Sequence, residues 1–146
     1  MIYAENDKTT PIRLGLREEW IPLLLHKYVV DKLHSNPSVV LDIAGENLLK
    51  SAPAPGLEHT MAAQWFAEWV DLVVNKDIDG ITAICLGEMV HDADMRQVSP
   101  FIGVLTQEER LLAFRDARYY WELYKSRNGQ GKPMDWLTSD KPDETD

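Results

Sequence analysis

Along the chain, short polar breaks separate apolar stripes whose spacing is mostly helical. Residues 1–15 mix polar and apolar groups with Pro11 and Gly15, and predict an irregular or short-strand lead-in. A helix is expected from near Trp20, because proline suits a first turn; Ile21, Leu24, Leu25, Tyr28, Val29 and Leu33 then share one face. HSNP ends it. Asn36 is placed to cap a second helix with Pro37 at its first position and Val40, Ile43, Ala44 and Leu48 as the inward stripe. Gly45 weakens that helix. SAPAPG, residues 51–56, reads as a loop joining two parts of one core. The third helix, roughly 58–75, has the widest stripe: Met61, Ala62, Trp65, Phe66, Trp69, Val70 and Val73, with Glu68 and Asp71 facing away.

After the turn NKDIDG comes ITAICL, rich in β-branched residues, and later FIGVL beyond Ser99 and Pro100. These predict a hairpin of strands at about 81–90 and 98–105, with HDADMR in or near the connecting turn. A buried helix over 81–92 stays open, since period alone does not separate short apolar runs. In the last helix Thr106 and Glu109 form a capping box. It runs to about Arg127, with Leu111, Phe114, Ala117, Trp121 and Tyr124 inward, Arg118 paired to Glu122, and Asn128 and Gly129 as the stop. The expected fold class is α+β: a helix-rich single domain over 1–137, about four helices with a β-hairpin before the long C-terminal helix. Met134, Trp136 and Leu137 anchor its end, and 138–146 should be an acidic flexible tail.

Composition sharpens this little: 45% apolar and 27% charged residues over 146 positions suit a soluble globular protein. No basic start with an apolar stretch marks a secretory signal, and runs such as IPLLL are too short to cross a bilayer. The single Cys85 excludes an intramolecular disulfide and any multi-cysteine zinc module; inside an apolar run it reads as a buried, inert thiol. A cytoplasmic location is expected. Charge says more. The net charge is −9, and residues 58–94 carry Glu58, Glu68, Asp71, Asp77, Asp79, Glu88, Asp92 and Asp94 against Lys76 alone, a stretch of −7. Such a face repels phosphates, so no direct nucleic-acid contact is expected, and it attracts basic protein surfaces.

GEMVHDADMR (87–96) concentrates Glu88, His91, Asp92 and Asp94, all able to bind metal or carry protons. Together LEHT (57–60) and MVHDAD (89–94) resemble the metal-dependent phosphohydrolases of the HD superfamily, and the EHT and VHDA contexts look like those of its small nucleotidases. The resemblance implies His59 on one helix, His91 and Asp92 on a second, and Asp116 of FRDARYY as the last ligand. It implies a divalent metal such as Mn, Fe, Co or Zn, which lowers the pKa of a bound water. The loop at 87–96 alone matches neither the Ca²⁺-loop spacing nor the paired histidines of zinc proteases, and reads as a solvated acidic turn. RNGQGK follows a helix, not a strand, so it is no phosphate loop, and no G-x-S-x-G elbow is present. His26 and His34 are expected at or near solvent.

RYYWELY supplies the binding hint. Neighbouring helical residues point about 100° apart, so Tyr119 or Tyr120 should be exposed beside Arg115 and Arg118. The order of elements is similar to small domains of unassigned function encoded by phages and mobile elements. The expected function is a non-enzymatic acidic interaction protein, with no cofactor. It would dock through Glu68, Asp71, Asp77 and Asp79 on a basic surface, such as a nucleic-acid-handling enzyme that it inhibits. A homo-oligomer is compatible with this. The HD-type phosphohydrolase is the alternative, and sequestration of a small ligand a third reading.

Overall fold

The computed structural model describes residues 8–130 and 136–137. Among them the chain forms six α-helices: α1 Arg17–Ser35, α2 Pro37–Lys50, α3 Met61–Val74, α4 Ile78–Leu86, α5 Val90–Gln97 and α6 Gln107–Ser126. α1 is central and packs against α2, α4, α5 and α6. Its apolar residues are not confined to one stripe, and Trp20, Leu23, Leu24, Val29, Val30 and Leu33 are all buried. A helix with buried residues on several sides is one that neighbours enclose on those sides. Its first half joins Leu14, Leu137 and α6 in one apolar cluster; its second half joins α2 to α5, Phe101 and Val104 in another. Trp20, fully buried, stacks with Tyr120 and Trp136 at centroid distances of 6.2 and 6.3 Å, and its indole N–H donates to the Leu14 carbonyl at 3.0 Å.

Pro37 at the start of α2 and the α6 capping box match expectation, whereas Asn36 makes no side-chain cap bond and the Thr60 cap was not expected. Pro37 opens α2; Thr60 accepts the Ala63 amide at 3.1 Å to open α3. Thr106 and Glu109 cap α6 reciprocally, at 3.1 and 2.8 Å. α1 starts earlier than expected, so Pro22 lies within it; Pro22 is exposed, where water can serve the carbonyl left without an amide partner. α6 is rotated from its expected face. Ala113, Asp116, Ala117 and Tyr120 are buried, while Leu111 and Phe114 are exposed. Small alanines admit α1 closely, and Tyr120 stacks on Trp20.

The expected α+β class is wrong: the described residues contain no β-hairpin. An isolated bridge between Pro11 and Met89 is the extended pairing they show, with the Ile12 amide donating to Glu88 O at 2.7 Å and the Val90 amide to Thr10 O at 2.8 Å. Residues 78–86 are helical instead. Asp77 caps α4 through the Gly80 amide at 2.9 Å, and Ile81, Cys85 and Leu86 are buried at helical spacing. The strand preference of β-branched residues spans only about 1 kcal/mol and yields to packing. A buried Arg96 closes the helix: its Nη1 donates to the Ile84 and Gly87 carbonyls, both at 2.8 Å. Residues 98–105 bury Phe101 and Val104, three apart and not alternately. The Val104 amide donates to Phe101 O at 3.1 Å, closing a turn with Gly103 at φ +91° in the third position.

Two glycines should therefore respond oppositely to alanine. Gly45 lies inside α2 with open space around its α-carbon, so Gly45→Ala should stabilise the chain by about 0.5–1 kcal/mol. Gly103→Ala forces a side chain into the left-handed region and should cost about 1–2 kcal/mol. Urea unfolding midpoints of the two variants check the signs.

Candidate functional site

GEMVHDADMR is not a surface turn. From Val90 it is α5, and each residue of a helix points about 100° from the last, so its acids and histidine diverge. His91 turns inward, 2% exposed, with Nε2 2.9 Å from a Glu68 carboxylate oxygen on α3. Asp92 folds back on its own helix start and accepts the Met89 amide at 3.1 Å; burial pushes its carboxyl up, against that hydrogen bond. The carboxylate packs so tightly on Gly87 that no Cβ would fit there. His59 sits exposed in the turn before α3. Asp116 is buried on α6, where the Tyr28 hydroxyl donates to one oxygen and Arg115 Nη2 to the other at 2.7 Å. Burial and this Asp116 hydrogen bond raise the Tyr28 pKa. The structure thus does not gather His59, His91, Asp92 and Asp116 into one ligand set. Among the described residues no three His, Cys, Asp or Glu side chains form a group able to hold a metal ion.

Asp71, Asp77 and Asp79 are exposed where α3 passes to α4. Asp71 accepts the Asn75 side-chain amide at 3.0 Å, and Asp77 is the α4 cap. Glu68 is partly buried against His91. Of the α6 group, Arg115 and Arg118 are exposed and Tyr119 is 39% exposed, packed edge-on to Tyr120; Tyr120 itself is buried. Cys85 is buried, and burial pushes its thiol up to about 12.

A further polar cluster was not anticipated. His26 is buried, contrary to its expected solvent-facing position. Its Nδ1 lies 2.7 Å from the Pro22 carbonyl and its Nε2 2.9 Å from Ser99 Oγ. A carbonyl only accepts, so Nδ1 carries the proton and Nε2 accepts the Ser99 hydroxyl. Three more ties hold the 99–105 segment. Asn47 donates to the Pro100 and Ile102 carbonyls, both at 2.8 Å, Lys32 donates to Val104 O at 2.9 Å, and Phe101 packs edge-on to Trp69 at 5.3 Å. Between this strap, α1 and α6 lies a cavity of about 230 Å³, with Leu25, Val29, Phe101 and Leu105 among its walls and Arg110 beside them. The available sequence signal was the apolar coverage of α1 on several sides, which leaves a histidine at position 26 little access to water.

No family model, curated protein or solved structure matches the chain.

Burial, opposed by the Pro22 hydrogen bond and reinforced by the Arg96 charge, lowers the His26 pKa to about 4. The unfolded chain takes up this proton first, near pH 6.5. The folded state is therefore favoured fully above about pH 6.5, loses this contribution as pH falls toward 4, and changes no further below it. The loss should reach up to about 3 kcal/mol. Urea unfolding at pH 7 and about pH 4.5 should show wild type losing more stability than His26→Gln; parallel losses would remove His26 from the pH response.

Proposed function

We propose that the chain is a non-enzymatic interaction protein whose acidic face docks on a basic protein surface. The observation that carries this reading is the corner formed by Asp71, Asp77 and Asp79. All three are exposed, and the ion pairs formed by lysine and arginine among the described residues use none of them. Those pairs lie on α1 and α6 and between them, away from the −7 stretch. A net negative corner, three aspartates against Lys76 alone, produces a directed field that accelerates approach of a basic partner and rejects acidic ones. Enzymes that handle nucleic acids carry extended basic surfaces to hold phosphates, and form the partner class with the matching sign. Occupying such a surface would inhibit them. Tyr119, Arg115 and Arg118 on α6 offer the residue types that anchor interfaces, for a second contact.

Charge reversal tests the acidic face, but Asp77 is a poor choice because its removal also uncaps α4, at about 1 kcal/mol. The double variant Asp71→Lys, Asp79→Lys leaves the cap in place. A partner captured by wild type from the native host, then purified and titrated at two salt concentrations, should bind the variant at least about 10-fold more weakly. Its affinity should also depend less on salt. Equal affinity and an unchanged salt slope would remove these residues from the interface.

A further inference from the structure

We infer that the cavity between the 99–105 strap, α1 and α6 binds a small amphiphilic carboxylate, with Arg110 holding the head group and the apolar walls taking the tail. Leu25, Val29, Phe101, Ile102 and Leu105 supply those walls. Arg110 contributes the one charge among the lining residues. In a chain with 24 acidic residues against 15 basic ones, Arg110 forms no ion pair among the described residues. Its neighbour Glu109 is engaged by Lys32 at 2.6 Å. A guanidinium free of carboxylates beside an apolar wall favours a ligand that carries its own anion.

The other polar groups do not compete for that role. His26 and Ser99 also line the cavity, but each is spent on the other, and a neutral imidazole adds no charge. Ile102 is 81% exposed at the tip of the Gly103 turn, an apolar side chain that nothing among the described residues covers and that a ligand tail would shield. Asn47 and Lys32 already hold the strap, so little order has to be created on binding. At roughly 30 Å³ for each water-sized unit, 230 Å³ takes a tail of about eight non-hydrogen atoms. That size suits a medium-chain or single-ring carboxylate. None of the acids of the docking face takes part, so this inference stands or falls separately.

Octanoate and octan-1-ol are the probes, differing in the charge that Arg110 would read. Titrated into the full chain and followed by backbone amide NMR, octanoate should shift Leu25, Val29 and residues 99–105, with a Kd of about 0.1–1 mM. Arg110→Gln should weaken octanoate at least about 10-fold and Arg110→Lys much less, while octan-1-ol binding stays within about 2-fold in all three proteins. Arg110 is exposed in the first turns of α6, and unfolding midpoints confirm that its variants are folded. Absence of shifts at these residues at roughly 5 mM octanoate, or equal octanoate affinity in wild type and Arg110→Gln, overturns the inference.

Discussion

The structure depends on α1 being enclosed. Most helices of a small protein bury one stripe, but α1 gives Trp20, Leu23 and Leu24 to one cluster and Val29, Val30 and Leu33 to the other. Apolar packing alone leaves such a helix free to slide or turn, since greasy surfaces of similar volume are interchangeable. Its polar residues remove that freedom. Tyr28 reaches Asp116 on α6, Lys32 reaches the Val104 carbonyl and Glu109, and His26 reaches Ser99, all between residues more than seventy positions apart. A hydrogen bond in a nearly dry interior is met in one register and missed in the next, and an unmet partner costs about 1–3 kcal/mol.

What could be read beforehand follows from the same physics. α2 and α6 carry their starts as local chemistry, in Pro37 and the Thr106–Glu109 box, which depends little on tertiary context. α4 and α5 are only nine and eight residues long. Over two turns, ITAICL fits a strand or a helix equally, and the choice is made by Asp77 upstream and Arg96 downstream. The arginine is the hidden part: it closes α4 from nine to twelve residues away, through contacts no local pattern encodes. The face of α6 was misjudged for a similar reason. Leu111 and Phe114 are the more apolar residues, yet Ala113 and Ala117 face inward because the distance to α1 selects small side chains over greasy ones.

The candidate site was less legible than the fold, and unevenly so. Exposed acids are easy to foresee, because Lys76 alone opposes eight of them in residues 58–94; Asp71, Asp77 and Asp79 stand in solvent. Residues clustered in sequence fared worse. His91 and Asp92 are adjacent in the chain, but the helix sends one to Glu68 and the other back to its own first turn, so adjacency in sequence becomes divergence in space. The cavity shows the converse. Leu25, Ser99 and Arg110 are far apart in the chain and meet through the strap that four ties hold in place.

His26 and Ser99 raise one last question of use. A hydroxyl donating to an imidazole whose other nitrogen is held by an acceptor is also the hydrogen-bond order of a serine nucleophile. Basicity separates the two roles. A general base works best with a pKa near the working pH, and burial, with the Arg96 charge, holds His26 down at about 4. The desolvation that weakens it as a base strengthens it as a fastener, because a hydrogen bond is electrostatically stronger in a poorly solvated setting. The pair therefore reads as a tie between α1 and the strap, and by consuming its own polarity it leaves the cavity wall apolar for whatever Arg110 attracts.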